Sequence, residues 1–259
     1  MRVINRRGLA SLLASAGAFL GCSCGRAQAQ QTPGAIPGDA QSGMSRMLGL
    51  GASLLQRKPP ISDINMYLNG FHFYADDMGR QIEAHHYCTH LNEEFFQCVI
   101  YDGNKSGARL IGIEYIVSER IFKTLPPEEK ALWHSHRYET TSGELVMPGI
   151  PATVEHTAMA MLASTYGKTW HTWQIDRDAA LPLGIPQLMM GFTADGQLGA
   201  DLLRSRDEAL GVSTGKVRDD RADLARDAMP VQPGANGWIS GEAQQRTLQK
   251  TALKNRRGA

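Results

Sequence analysis

An alternating stretch followed by two apolar stretches, all within residues 82–117, restricts the fold more than any other feature of the sequence. Residues 82–90 alternate between two faces, which is the period of a half-buried strand. A polar turn leads from there to the aromatic and β-branched run 95–101, and a Gly-containing turn leads on to 109–117. Runs of this kind joined by short turns are typical of hairpins. The sequence therefore predicts an antiparallel β-meander.

Helical patterns lie on both sides of this meander. We predict helices from apolar spacing, from prolines with acids at a helix start, and from glycine stops; they fall at 61–79, 126–134, 153–166 and 198–210. Short strands are predicted at 143–147 and 169–175, and a short apolar segment at 186–192. These elements predict an α+β fold: a single domain with a mainly antiparallel sheet packed with three or four helices.

Composition places the boundaries of this domain at residues 61–215. Residues 30–60 hold four prolines among Gly, Ser and Gln, which is typical of a linker. Within the linker, the apolar residues of 44–56 predict a short helix that docks on the domain or lies on a lipid surface. Residues 216–259 are first highly charged and then rich in Pro and Gly, which predicts a disordered charged tail.

The first 29 residues have the layout of an export signal. Arg6 and Arg7 precede an Ala/Leu/Gly-rich stretch that is too short to span a bilayer, and Ala27-Gln28-Ala29 is a small-x-small cleavage site. The paired arginines resemble a twin-arginine signal; the alternative is a buried N-terminal helix. The signal predicts a periplasmic or secreted protein, with no transmembrane helix in the mature chain.

The net charge that remains after cleavage restricts the partners that the mature protein can bind. Removal of four arginines and no acid lowers the basic count from 27 to 23 against 26 acidic residues, a net charge of −3, which excludes an electrostatic footprint for nucleic acid.

Cys88 and Cys98 are the two cysteines that remain after cleavage. A turn centred on Glu93 places these two cysteines opposite each other, so that they pair as a disulfide in an oxidising compartment; a turn displaced by one residue separates them.

Short blocks within residues 62–215 follow one another in a distinctive order. They include Phe71-His72-Phe73-Tyr74, His85-His86-Tyr87-Cys88, Gln97-Cys98-Val99-Ile100-Tyr101-Asp102, Leu132-Trp133-His134-Ser135-His136 and Pro182-Leu183-Gly184-Ile185-Pro186. In this order the blocks resemble the oil body-associated protein family, a domain of unknown function known from plant seed oil bodies. The resemblance implies contact with lipid or an apolar small molecule and implies no active-site residue. The export signal and the basic tail depart from the plant pattern.

Two histidine clusters are the candidates for chemistry. On an extended segment His134 and His136 point the same way, and Glu139 completes a two-histidine, one-carboxylate set of the kind that holds zinc or iron. The alternative is a hydrogen-bonded pair of histidines that stabilises a turn. In the other cluster the strand period places His86 on one face and His85 on the opposite one, so only one of the two can reach the same ion.

Two functional hypotheses follow. The favoured one is a non-catalytic protein that associates with lipid or another apolar ligand. The alternative is a metal-dependent enzyme in which His134, His136 and Glu139 hold zinc or iron, with His85 or His86 arriving from the hairpin. A hydrolase nucleophile elbow and a phosphate-binding loop are both absent from the sequence.

Overall fold

Seven antiparallel strands form one sheet in the computed structural model, which describes residues 36–253. The strands are β1 (Met66–Tyr74), β2 (Asp77–Asn92), β3 (Phe95–Tyr101), β4 (Leu110–Ser118), β5 (His134–Ser135), β6 (Thr165–His171) and β7 (Gln187–Met190). Their order is β4-β3-β2-β1-β7-β6-β5, and β4 also pairs with β6. This extra pairing closes six strands into a barrel and leaves β5 beside β6. The predicted α+β class with a mainly antiparallel sheet is confirmed.

Nine helices accompany the strands in the described part of the chain. They are α1 (Gly43–Leu55), α2 (Pro59–Ser62), α3 (Glu119–Lys123), α4 (Pro127–Lys130), α5 (Arg137–Ser142), α6 (Ala152–Leu162), α7 (Ala200–Leu210), α8 (Thr214–Asp220) and α9 (Ala222–Asp227), followed by the 3-10 helix Gly237–Ser240. Only α1, α6 and α7 among the described helices exceed seven residues. The helices predicted over 153–166 and 198–210 from the spacing of apolar residues correspond to α6 and α7.

The predicted helix over 61–79 is wrong, because most of that segment forms β1. Both faces of β1 are covered, so every residue from Leu68 to Tyr74 is buried. A strand buried on both faces reads as a continuous apolar run, and such a run imitates helical spacing. The turn between β2 and β3, in contrast, has the predicted register. Cys88 pairs with Cys98 across the two strands, and the two residues form a disulfide.

The barrel interior is arranged in layers. One apolar layer, formed by Leu68, the disulfide and Ile116, is closed from below by Met159 and Leu162 of α6. The other apolar layer contains Tyr74, Ile82, Ala84, Ile100 and Met189. Along β1 and β2, His72 and His86 occupy the inward positions between these two layers. A polar layer therefore lies across the middle of the barrel.

Two residues within the predicted tail, residues 216–259, contact the barrel domain closely. Arg221 is 1% exposed, and its Nη1 donates to the carbonyl oxygens of Thr140 and Leu145. Trp238 packs edge-on against Phe73 with ring centroids 5.1 Å apart. Composition measures apolar content, so it does not register a segment that is anchored by guanidinium–carbonyl hydrogen bonds.

The N-terminal predictions meet the structure only in part. The predicted export signal, residues 1–29, lies outside the described residues. The apolar helix predicted within 44–56 is α1, and all of its residues are at least partly exposed. Between residues 36 and 253, no helix has the length and apolar character needed to cross a membrane.

Candidate metal centre

Six ionisable side chains from five elements converge in the polar layer of the barrel. We refer to them as the cage: His72 of β1, His86 of β2, Glu114 of β4, His134 of β5, His136 directly after β5, and Glu139 of α5. None of the six is more than 4% exposed. Ionisable groups are rarely buried this completely unless they are paired or bind a cation.

The carboxylate of Glu114 is the centre of the cage. Its Oε1 lies 3.1 Å from Nε2 of His136 and 3.4 Å from Nε2 of His134. Its Oε2 lies 2.9 Å from Nε2 of His86 and 4.0 Å from Nε2 of His72. Each carboxylate oxygen therefore faces a different pair of histidines.

The hydrogen bonds of His136 determine which of its nitrogens carries a lone pair. The hydroxyl of Thr165 donates to the carbonyl oxygen of Leu162 at 2.7 Å, so it accepts from Nδ1–H of His136 at 2.8 Å. In the neutral imidazole, Nε2 is then an acceptor. Because Nε2 faces the carboxylate oxygen of Glu114, two acceptors meet at 3.1 Å. Only a proton or a metal cation between them relieves the repulsion.

Burial and the surrounding charges set the protonation of the cage. Burial opposes ionisation of Glu114, but the imidazoles of His134, His136 and His86 that face its carboxylate outweigh the burial and hold the pKa of Glu114 well below its ordinary value. Burial, reinforced by neighbouring histidines, lowers the pKa of His72 and of His134. It also lowers the pKa of His171, which contacts His72, to about 3. Neutral imidazoles with a nearby carboxylate are the forms that bind metal ions.

Glu139 is the second carboxylate of the cage and behaves differently from Glu114. Burial, followed by the charges of Glu114 and Glu144, raises the pKa of Glu139 well above its ordinary value. Its Oε2 lies 3.9 Å from Nε2 of His134 and makes no hydrogen bond within the part of the chain that the structure describes. A cation beside Glu139 would offset both the burial and the repulsion.

Two glycines make room for the cage. A Cβ atom at Gly167 would overlap Oε1 of Glu114 and approach Nε2 of His136 to 2.7 Å. A Cβ atom at Gly191 would approach Oε2 of Glu139 to 2.6 Å. Because any larger residue at these two positions of the barrel wall displaces a cage side chain, the wall is matched to the cage.

The dimensions of the cage suit one ion. Ligand atoms that bind a zinc or iron ion at about 2.1 Å lie roughly 3.0–3.4 Å from each other in tetrahedral or octahedral geometry. On the side of the cage that faces β5, Oε1 of Glu114 lies 3.1 Å from Nε2 of His136 and 3.4 Å from Nε2 of His134. Five cage residues, His134 excepted, line a void of about 10 Å³ together with apolar residues of the layer below, and this volume is close to the smallest space that holds one water molecule. The residues thus fit a metal ion but leave no room for an organic substrate.

The structure brings together most of the predicted candidates. One ligand atom from each of His134, His136 and Glu139 lies within 4.8 Å of the others, and His86 joins them through Glu114. His85 lies on the other face of β2, where Nδ1 is 2.7 Å from the hydroxyl of Tyr67 and Nε2 is 3.2 Å from Glu83. His85 is therefore not part of the cage.

Sequence reasoning missed Glu114 and His72. Glu114 is the one acid among the apolar residues of β4, and His72 stands between two phenylalanines. A charged or polar side chain at an inward position of a strand is a signal for a site, because its burial must be compensated. For Glu114 this signal was present in the predicted strand 109–117, whereas for His72 it was usable only if β1 was recognised as a strand.

The fold and the cage define a closed antiparallel barrel with a buried histidine–glutamate centre. The family model "Protein of unknown function (DUF1264)" matches residues 58–225. Oil body-associated protein 1A of Zea mays is 50% identical over 206 residues, which cover 80% of this chain and 87% of the relative. Oil body-associated protein 1B of Arabidopsis thaliana is 46% identical over 207 residues, which cover 80% of this chain and 86% of the relative.

The chain therefore belongs to the DUF1264 family. It is similar to the oil body-associated proteins over most of its length. This confirms the family resemblance of the sequence blocks. No solved structure matches the chain, so the function of the barrel has to be argued from its own residues.

Proposed function

We propose that the barrel binds one divalent transition-metal ion, zinc or iron, in the cage. The observation that carries the proposal is the contact between Nε2 of His136 and Oε1 of Glu114, two acceptors 3.1 Å apart in a buried space. The hydrogen bond from His136 to Thr165 supports it, because metal-binding imidazoles usually donate their other N–H to a fixed acceptor.

The ion is assigned to the side of Glu114 that faces β5. Oε1 of Glu114, Nε2 of His134 and Nε2 of His136 are the proposed ligands, and Glu139 is the fourth. His72 and His86 flank the other carboxylate oxygen and hold its orientation. A four-ligand set without access to solvent is the pattern of closed structural sites rather than of open catalytic ones. The proposal is therefore metal binding that stabilises the barrel, without turnover of a substrate.

Metal content of the purified full chain tests this proposal. We expect one equivalent of zinc or iron in protein prepared without chelators, and its loss in Glu114→Gln and in His136→Ala. His85→Ala is the matched control, because His85 is a buried histidine of the same sheet outside the cage. A wild-type protein that takes up neither metal after reconstitution would refute the proposal, as would folded cage variants that retain it fully.

A second candidate function is attachment to a lipid surface through α1. The apolar side chains of α1 are 58–85% exposed: Met44, Met47, Leu48, Leu50, Leu54 and Leu55. Apolar residues on an exposed helix are a means of binding the interface of a lipid layer. The names of the similar plant proteins, which describe association with oil bodies, agree with this assignment.

Flotation with phospholipid-coated triacylglycerol droplets tests the attachment. We expect the full chain to float with the droplets and Leu48→Glu/Leu54→Glu to remain in the aqueous phase. Leu248→Glu is the control, since Leu248 is 82% exposed and lies outside α1. Equal flotation of all three proteins, or none by the wild type, would exclude α1 as the attachment segment.

A third proposal concerns the location of the protein and rests on the predicted export signal. We propose that residues 1–29 direct the chain to the periplasm or the medium, and the Cys88–Cys98 disulfide is consistent with an oxidising compartment. This proposal is independent of the metal and of the lipid.

A further inference from the structure

A cavity of about 610 Å³ lies on the face of β5 that is turned away from the cage. Ser135 lines this cavity, whereas its neighbours His134 and His136 belong to the cage. Alternate residues of a strand point to opposite faces, so the short β5 separates the two spaces. The volume falls in the range of small-molecule pockets, about 300–1,000 Å³.

The charge of this cavity is unbalanced. Arg137 is its one cationic lining residue, and the lining contains no acid within the part of the chain that the structure describes. The guanidinium of Arg137 has neither a hydrogen bond nor an ion pair to any residue between 36 and 253. In contrast, nearby Arg218 and Arg226 pair with Asp195 and Asp227. Arg137 is therefore the cation that remains available to a ligand.

The other walls supply both polar and apolar groups. Gln232 also lines the cavity, and its side-chain amide makes no hydrogen bond to the described residues. Val231, Pro233, Ala235 and Ile239 form an apolar wall contributed by the segment after α9. One cation and one amide beside an apolar wall suit a ligand with an anionic head and an apolar chain.

The wall is held against β5 by a residue in an unusual conformation. Asn236 is the only non-glycine residue with positive φ within residues 36–253, with φ 53°. Its side-chain Oδ1 accepts from the backbone N–H of Ser135 at 2.9 Å, and its own N–H donates to the carbonyl of Trp133 at 2.8 Å. Asparagine adopts left-handed backbone more readily than most non-glycine residues, and here it joins the wall to β5 through two hydrogen bonds.

We infer that this cavity binds a small organic carboxylate with an apolar chain, and that Arg137 holds the carboxylate. A guanidinium presents paired N–H donors that match the two oxygens of a carboxylate. The amide of Gln232 is a second donor, and the apolar wall contacts the chain of the ligand. The inference rests on the cavity alone and does not require a metal ion in the cage.

Isothermal titration of the full chain with octanoate tests the inference. We expect saturable binding by the wild type and a loss of affinity of about tenfold to a hundredfold in Arg137→Gln, the usual effect of a charge-assisted hydrogen bond. Arg137→Lys should lose less, because it keeps the charge. Arg226→Gln is the matched control: the same charge is removed next to the cavity, from a residue that does not line it. Titrations with octanol, which has the apolar chain but no charge, and with inorganic phosphate, which has the charge but no chain, show which part of octanoate is bound.

Each result decides between the alternatives. Octanoate binding that is weakened by Arg137→Gln, unchanged by Arg226→Gln and stronger than octanol or phosphate binding supports the inference. Absence of octanoate binding overturns it. Equal losses in the two arginine variants, or tighter binding of phosphate than of octanoate, also overturn it. Circular dichroism melting of each variant ensures that a loss of binding is read only from folded protein.

Discussion

Nε2 of His136 lies 3.1 Å from Oε1 of Glu114 in the middle of the barrel, while Nδ1 of the same histidine bonds to the hydroxyl of Thr165. Both ends of one imidazole are thus engaged, and the end that faces the carboxylate lacks a proton in the neutral form. Thr165 therefore orients an imidazole whose other nitrogen faces the proposed ion.

Thr165→Val should weaken metal binding without removing a proposed ligand. Valine has the shape of threonine but cannot accept from Nδ1–H of His136, so the imidazole loses its fixed orientation. We expect the metal affinity to fall about tenfold to a hundredfold, as is typical for such supporting partners. Competition with a chromogenic chelator measures the affinity, and Thr165→Ser, which keeps the hydroxyl, should remain close to wild type. Equal affinities of the valine and serine variants would mean that Thr165 plays no part.

Gly167→Ala should destabilise the barrel even when metal is absent. The new Cβ atom would overlap Oε1 of Glu114 and crowd His136, and overpacking of a buried site costs about 1–3 kcal/mol. Urea unfolding in the presence of a chelator measures the free energy. Gly49→Ala is the control, because nothing lies within 4 Å of a Cβ there. Unchanged stability of Gly167→Ala would show that the cage is looser than its distances suggest.

Glu144 should make the stability of the protein fall as the pH rises toward neutrality. Burial is the main cause that raises the pKa of Glu144 to about 7. In the unfolded chain this carboxyl ionises near pH 4.3, so the folded state binds its proton more tightly. The penalty for ionising the buried group is absent below about pH 4, grows between the two pKa values and is complete above about pH 7.

Glu144→Gln should therefore gain stability relative to wild type as the pH increases through this window. We expect a relative gain of about 3–4 kcal/mol at pH 8 compared with pH 4, from the size of the pKa difference. Urea unfolding at a series of pH values provides the comparison. The exposed Glu208→Gln on α7 should show no such trend, and a pH-independent difference for Glu144→Gln would contradict the prediction.

The mature protein should begin at Gln30. Intact-mass measurement of protein recovered from the periplasm or medium of a bacterial host tests the predicted cleavage after Ala29. Arg6→Lys/Arg7→Lys should leave the uncleaved chain in the cytoplasm if the twin-arginine route is used, because that route depends on the paired arginines. Recovery of the chain with its first 29 residues intact outside the cytoplasm would contradict the cleavage prediction.

The reach of sequence reasoning is clearest in the hairpin of β2 and β3. A period of two and a short polar turn are local properties, so they predict the strands and the pairing of Cys88 with Cys98. The same period alone is enough to place His85 and His86 on opposite faces of β2. The predicted helix over 61–79 failed because β1 is covered on both faces, and this covering is supplied by strands and helices distant in sequence.

The sequence by itself determined the strands of the meander, the helices α6 and α7, the register of one hairpin and the family. It also marked His134, His136 and Glu139, which are close together along the chain. Only the tertiary structure decided that Glu114 and His72 join them, because barrel closure through the pairing of β4 with β6 brings these distant residues to one layer. The cavity behind β5 depends in the same way on the segment after α9, whose contacts arise from individual buried hydrogen bonds. Periodicity reports which face of an element is buried, but not which elements meet there.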